Sequence, residues 1–167
     1  YSAALESGVM SQTVVMDAPV TDAQGQPIPG WDPKNSDGQF DGPMTLRQAL
    51  ARSKNSVSIR LVQWMGVAEA RAWTAQFGFD PGKQPDNLTL ALGAGATTPL
   101  QLASAYAVIA NGGLRTEARV VERITDARGT VLFEAPPPPP ADESRRVVPA
   151  RNAWLTAQLL QEVTRSG

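Results

Sequence analysis

The sequence predicts an α+β domain that is mostly helical. Apolar residues recur at helical spacing in several stretches, which begin at hydroxyl caps and end at Gly or Asn. Strand candidates are few and short, and turn residues separate them. The predicted helices are two segments within 45–66, then 67–77, 99–110 and 150–165, and the predicted strands are 12–16, 120–125 and 130–133.

The composition limits the chemistry available to the chain. It has 167 residues, of which 42% are hydrophobic, enough for one domain with a core. It has neither Cys nor His, which excludes thiol nucleophiles, His bases, disulfides and Cys/His zinc sites. The net charge of −1 gives no electrostatic basis for binding nucleic acid or a membrane surface, and no apolar run could span a bilayer. Serine and carboxylate chemistry remains, and no cofactor or metal is predicted.

The stretch 45–66 predicts two helices joined at Ser53-Lys54-Asn55. Thr45 and Gln48 have the spacing of a capping box, so the first helix should begin there. The apolar stripe of this helix continues into a hydroxyl at Ser53.

Ser53 and Asn55 allow two interpretations. Short polar side chains often cap helix ends, and the pattern Ser-x-Asn is frequent by chance. The alternative is that both side chains belong to an active site, with Ser53 directed into a cleft. Spacing alone favours the capping interpretation.

The segment 17–42 is rich in Pro, Gly, Asp and Asn and predicts a long loop. Its Asn35-Ser-Asp37-Gly38 imitates the middle of a calcium-binding EF-hand loop. Pro33 occupies the first ligand position and no Glu closes the loop, so calcium binding is disfavoured.

The middle of the chain predicts scaffold elements. The helix 67–77 should end at Gly78. Residues 88–95 have the outline of a dinucleotide fingerprint, but Thr98 stands in place of its third glycine. Thr98 and Gln101 instead predict a second capping box, with Pro99 in the first turn. The helix 99–110 is apolar nearly all round and is expected to be buried.

The last third of the chain predicts a β-hairpin, an extended polyproline stretch over 136–140 and a final helix. The final helix is expected to end at a basic turn followed by Gly167. Its expected inward-facing residues are Ala153, Trp154, Ala157, Leu160 and Val163.

Two long stretches carry a resemblance to a known family. The first runs from Trp31-Asp-Pro-Lys-Asn35 and Phe40-Asp-Gly42 through Thr45-Leu-Arg-Gln-Ala-Leu50 to Ser53-Lys-Asn55. The second runs from Leu92-Gly-Ala-Gly-Ala-Thr-Thr-Pro-Leu100 to Ala110-Asn-Gly-Gly113. In this order they resemble the class A, bifunctional penicillin-binding proteins, a family with the motifs Ser-x-x-Lys, Ser-x-Asn and Lys-Thr-Gly.

This chain contains only the middle motif of that family. The resemblance implies that residues 1–167 form a central fragment of the penicillin-binding, serine β-lactamase-like transpeptidase fold, lacking most of its antiparallel sheet. Ser-x-x-Lys would lie just before Tyr1 and Lys-Thr-Gly soon after Gly167. Ser53 would match the serine that relays protons, and Asn55 the asparagine that binds peptide-like substrates. Lys54, at the variable position, is expected to face solvent.

The resemblance implies a D,D-transpeptidase that cross-links peptidoglycan stem peptides ending in D-Ala-D-Ala and is acylated by β-lactams. The parent protein would be anchored in the bacterial inner membrane with this part in the periplasm. The chain alone would be inactive, and its partner would be the rest of the transpeptidase domain. Two alternatives remain: a serine β-lactamase, and a free-standing, non-catalytic binding or scaffold module derived from the fold.

Overall fold

The computed structural model describes residues 1–137, 140 and 142–167 and is mostly helical. It contains six α-helices, three short 3-10 helices and two separate two-stranded antiparallel sheets in the described residues. The helices are α1 (Ser2–Glu6), α2 (Leu46–Ala51), α3 (Asn55–Met65), α4 (Val67–Gln76), α5 (Pro99–Ala110) and α6 (Ala150–Ser166). The strands are β1 (Val14–Asp17), β2 (Gly42–Thr45), β3 (Arg123–Thr125) and β4 (Val131–Glu134). The 3-10 helices are Pro81–Lys83, Leu88–Leu92 and Glu143–Arg145.

The first sheet pairs β1 with β2, and the loop between them, residues 18–41, is called the β1–β2 loop below. The sequence predicted the first of these strands and missed the second, because Gly42 and Pro43 are unusual in a strand. Thr45 ends β2 and also caps α2, so this strand fixes where the helix begins.

The main core forms where α1, α2, α3 and α6 meet. Its buried members are Ala4, Leu5, Met44, Leu46, Ala49, Val57, Leu61 and Leu159. A smaller cluster of Val108, Val148 and Ala153 joins α5 to α6. The main core holds α2 and α3 in place, and the connection between these two helices carries the Ser-x-Asn sequence.

Helix α6 is rotated relative to the prediction. Trp154 is 62% exposed, so its predicted inward position is wrong, whereas Asn152 and Thr156 are buried beside Ala153. Asn152 Nδ2 donates to the carbonyl of Ser2 at 2.8 Å, and Asn152 Oδ1 accepts from Ser2 Oγ at 2.7 Å. These bonds satisfy a buried polar face, which periodicity of apolar residues alone could not reveal.

Helix α5 is less buried than predicted. The capping box of Thr98 and Gln101 is confirmed. Ala105 and Val108 are buried, but Leu100, Leu102 and Tyr106 are 56%, 45% and 55% exposed. The expectation of burial all round is therefore wrong, because only one face of α5 packs on neighbouring helices in the described chain.

Three further segments bear on the sequence predictions. Leu88–Leu92, where the dinucleotide outline would need a strand, is a 3-10 helix that ends at left-handed Gly93. The β3–β4 hairpin forms, although it is shorter than predicted, and its strand residues are exposed. The predicted polyproline stretch includes Pro138 and Pro139, which lie outside the described residues. No helix in the described ranges combines the length and the hydropathy that a bilayer crossing requires.

Candidate active site

Thr45 determines where α2 begins. The Gln48 N–H donates to Thr45 Oγ1 at 3.2 Å, and the Thr45 N–H donates to Gln48 Oε1 at 3.0 Å. The predicted capping box is therefore confirmed, and it sets the register with which the helix reaches Ser53.

Ser53 lies in the turn that ends α2. Its N–H donates to the Leu50 carbonyl at 3.0 Å, and the Lys54 N–H donates to the Ala49 carbonyl at 2.9 Å. This pair of bonds forms a Schellman motif, in which one residue takes the left-handed conformation and is usually glycine. Ser53 takes it here with φ of 53°, and within residues 1–137, 140 and 142–167 no other non-glycine residue has a positive φ. Non-glycine residues held in this conformation cluster at functional sites.

Asn55 is the first residue of α3, immediately after the turn. Its side-chain Nδ2 donates to the carbonyl of Lys34 at 2.9 Å, so the β1–β2 loop orients the amide. The next N–H, that of Ser56, donates to Asn35 Oδ1 at 3.2 Å. The loop thus supplies a cap that α3 does not provide from its own N-terminal residue, and Asn55 has no capping role of its own.

Lys54 is buried, with 1% of its side chain exposed, so the expectation that it faces solvent is wrong. Its Nζ lies 2.8 Å from Asp37 Oδ2, 2.9 Å from Asp41 Oδ2 and 3.4 Å from Asp17 Oδ2. An ammonium group can be buried when carboxylates pair with it, and three are present. Because Lys54 binds Asp37, the middle of the EF-hand-like sequence serves an internal ion pair.

The buried pairing shifts the pKa of the partners in opposite directions. Burial alone would lower the pKa of Lys54, but hydrogen bonds to Asp37 and Asp41 and the charge of Asp17 raise it above its ordinary value. Burial alone would raise the pKa of Asp17, but hydrogen bonds from Ser56, Asn35 and the Asp41 N–H, with the charge of Lys54, lower it. The hydrogen bond from Lys54 likewise lowers the pKa of Asp37. All three groups are therefore charged near neutral pH.

Sequence reasoning missed the carboxylate that organises this region, Asp17 at the end of β1. Asp17 Oδ1 accepts from Asn35 Nδ2 at 2.7 Å and from Ser56 Oγ, and Oδ2 accepts from the Asp41 N–H at 2.9 Å. Asp17, Asn35 and Ser56 are all buried. The available signal was an Asp directly after a predicted strand, but nothing local indicated that it pairs with a lysine in another element.

Ser53 itself is exposed and Asn55 is half-buried. Neither lines the apolar cavity of about 400 Å³ that lies between α3, α4 and α5, whose walls include Leu61, Trp73 and Tyr106. The cleft predicted around Ser53 therefore stays a prediction.

Comparison with known proteins identifies the class of protein. The sequence profile of the family "Penicillin binding protein transpeptidase domain" matches residues 1–167. The chain belongs to this family and covers a fragment of the domain. The predicted fold class, a fragment of the penicillin-binding transpeptidase fold, is confirmed together with the resemblance to the class A proteins.

Particular relatives narrow the comparison. Penicillin-binding protein 1A of Neisseria flavescens is 41% identical over 168 residues, which are 100% of this chain and 21% of that protein. The crystal structure of penicillin-binding protein 1A from Haemophilus influenzae has a TM-score of 0.85 and 32% identity, over 100% of this chain and 28% of that one. The chain thus spans about a fifth of the length of the curated relative it matches.

A more distant solved structure shows the same fold. It is penicillin-binding protein A from M. tuberculosis in its penicillin G acyl-enzyme complex, with a TM-score of 0.77. Identity is 22%, over 99% of this chain and 41% of that one. At this identity the likeness concerns the backbone arrangement alone.

Proposed function

We propose that residues 1–167 are the central part of a D,D-transpeptidase domain, between a Ser-x-x-Lys motif before Tyr1 and a Lys-Thr-Gly motif after Gly167. The observation that carries this proposal is the junction Ser53-Lys54-Asn55. It places a hydroxyl in a strained left-handed turn, fixes the adjacent amide through the Lys34 carbonyl and anchors both by a buried lysine. Such a rigid constellation fits a site that must hold a substrate in one geometry.

The reaction would be a serine acyl transfer on peptidoglycan stem peptides. The serine of Ser-x-x-Lys attacks the carbonyl of the penultimate D-alanine, the terminal D-alanine leaves, and the acyl group passes to an amine of a neighbouring strand. A β-lactam acylates the same serine and stays attached. The protein would be anchored in the bacterial inner membrane with this part in the periplasm, where it builds the cell wall.

Ser53 and Asn55 would have separate roles in that reaction. Ser53 has an exposed hydroxyl, which can both accept and donate a proton between the nucleophile and the leaving nitrogen. Asn55 uses one Nδ2 hydrogen on Lys34, which leaves its second N–H and its carbonyl oxygen available to a peptide-like ligand. Both residues assist the chemistry, and neither is the nucleophile.

The test uses the longer protein that contains this chain, incubated with a fluorescent penicillin. We expect one stable label per chain, mapped by mass spectrometry to a serine outside residues 1–167. A longer protein that takes up no label would exclude the proposed activity and favour the non-catalytic module. Rapid release of hydrolysed penicillin would instead identify a β-lactamase.

A further inference from the structure

The two residues that flank Ser53 bind the same carboxylate. Asp41 Oδ2 lies 2.9 Å from Lys54 Nζ and 3.3 Å from Arg52 Nη1. Ser53, between them, closes the turn in its left-handed conformation. A carboxylate tied to both sides of the turn opposes its opening, and Asp41 comes from the β1–β2 loop, outside α2 and α3.

A second set of contacts fixes Asp41 and the start of α3 to each other. The Asp41 N–H donates to Asp17 Oδ2 at 2.9 Å, and the same carboxylate accepts from Ser56 Oγ and from Asn35 Nδ2. Asn35 Oδ1 in turn accepts the Ser56 N–H. Both polar atoms of the buried Asn35 side chain are thus paired: Nδ2 with Asp17 at the end of β1, and Oδ1 with Ser56 in α3. Buried polar groups normally have such hydrogen-bond partners.

The β1–β2 loop, with Asp17, therefore contacts residues 52, 54, 55 and 56 on both sides of the turn. Ser53, at the centre of this stretch, stays exposed. The contacts restrain the direction of the Ser53 hydroxyl and the Asn55 amide while leaving both open to a ligand.

We infer that Asp41, Lys54 and Asn35 are positioning residues of the transpeptidase site. They touch neither substrate nor nucleophile, and they act by holding Ser53 and Asn55 in one mutual orientation. This inference rests on the proposed function of Ser53 and Asn55. It adds that the β1–β2 loop, which looks like a surface connection in the sequence, is part of the catalytic scaffold.

The first test is Asp41→Asn in the longer protein. This variant keeps the shape of the side chain and leaves Asp17 and Asp37 to pair with Lys54. We expect acylation by fluorescent penicillin to slow roughly 10- to 100-fold, since small displacements of positioned groups have effects of this size. The labelled fraction at long times should stay complete. The control, Asp32→Asn, removes an exposed carboxylate of the same loop and should acylate at the original rate.

A comparison of combined variants separates positioning from an independent effect. If Asp41 acts through Ser53 and Asn55, adding Asp41→Asn to a variant that carries both Ser53→Ala and Asn55→Ala should change the rate little further, because the side chains that Asp41 positions are already removed. Rate losses that multiply would overturn the inference. So would an unchanged rate in the single variant, or a reduced labelled fraction with an unchanged rate.

Hydrogen exchange gives a readout that does not depend on penicillin. In Asp41→Asn the amides of Lys54 and Ser56 should exchange at least about tenfold faster, while those of α6 keep their rates. Unchanged exchange at the junction, or equal acceleration in α6, would overturn the inference. Absence of any label on the unsubstituted protein would refute the proposed function, and the exchange comparison would still decide whether the loop holds the junction.

Discussion

Lys54 Nζ lies 3.4 Å from Asp17 Oδ2, and the two side chains are 1% and 0% exposed. This pair joins the junction between α2 and α3 to the end of β1.

Breaking a buried pair by removing one partner leaves the other charged and unpaired, which costs about 3–5 kcal/mol. We therefore expect Lys54→Met to lower the free energy of unfolding by this amount in urea. Lys83→Met, at an exposed lysine, should change it by less than about 0.5 kcal/mol. Equal effects of the two substitutions on the free energy of unfolding would mean that the buried ion pairs of Lys54 contribute nothing to stability.

The same pair makes stability depend on pH in a defined way. The lowered pKa of Asp17 adds stability above the unfolded value, about 3.9, which is lost as pH falls through the folded pKa. The raised pKa of Lys54 adds stability below the unfolded value, about 10.4, which is lost as pH rises through the folded pKa. The difference in unfolding free energy between Lys83→Met and Lys54→Met should therefore be largest between about pH 5 and pH 10 and shrink outside it. A difference that is constant over the whole pH range would contradict this.

Replacing Ser53 should impair acylation without unfolding the protein. In the longer protein, Ser53→Ala should slow acylation by penicillin roughly 10²- to 10⁴-fold, the range for loss of a proton relay. Ser36→Ala, at an exposed serine of the β1–β2 loop, is the matched control and should keep the original rate. Stopped-flow measurement of the acylation rate, with circular dichroism as a check of folding, tests this. If Ser53→Ala acylates like its control, Ser53 has only the capping role.

Asn55→Ala should weaken both substrate binding and acylation, because the proposed function gives this amide, at the start of α3, the role of contacting a peptide-like ligand. The concentration dependence of the acylation rate separates the two effects. The hydrogen bond to the Lys34 carbonyl is exposed to solvent, so we expect its loss to have only a small effect on stability. If Asn55→Ala changes neither the penicillin concentration that half-saturates the acylation rate nor the maximal rate, Asn55 has no role in the site.

The exposed face of α5 should make the isolated chain associate. Leu102 and Tyr106 are one turn apart on this face and are 45% and 55% exposed, next to the apolar cavity. Contiguous apolar surface of this kind is uncommon on monomers and marks a contact site. Sedimentation should show association that the combined change Leu102→Gln and Tyr106→Gln reduces. Val120→Gln, at a residue that is 90% exposed in the segment before β3, should leave association unchanged. A stable monomer would show that this face needs no partner.

Residues 1–167 alone should take up no covalent penicillin. Ser53 lacks an activating base, since neighbouring Lys54 is committed to three carboxylates and the sequence has no His. Under the proposed function the nucleophile lies outside this chain, so any oxyanion donor that its backbone supplies would also be missing, and the loss of one such donor costs about 10² to 10³ in rate. Stoichiometric addition of the drug to Ser53 by mass spectrometry would show that this chain carries a complete site.

The sequence alone predicted the helix ends that depend on contacts between residues close together in the chain. The two capping boxes, the start of α5 after Thr98 and the end of α4 before Gly78 depend on contacts between residues three or four apart, so a short window contains all the partners. The motifs around Ser53 and the Leu92-Gly-Ala-Gly stretch likewise predicted the family, which the comparison confirmed.

Tertiary structure decided which polar groups are buried. Lys54 was expected in solvent because a lysine at a helix junction normally stays there, and its burial depends on Asp17, Asp37 and Asp41, which lie far from it in the sequence. Asn152 is buried for the same reason. It forms hydrogen bonds with Ser2, which is 150 residues away in the sequence, and these bonds set which face of α6 points inward. Hydrophobic periodicity predicts where apolar residues go, but a polar residue is buried only if the fold brings it a partner, so the arrangement that holds Ser53 and Asn55 appeared only in the folded chain.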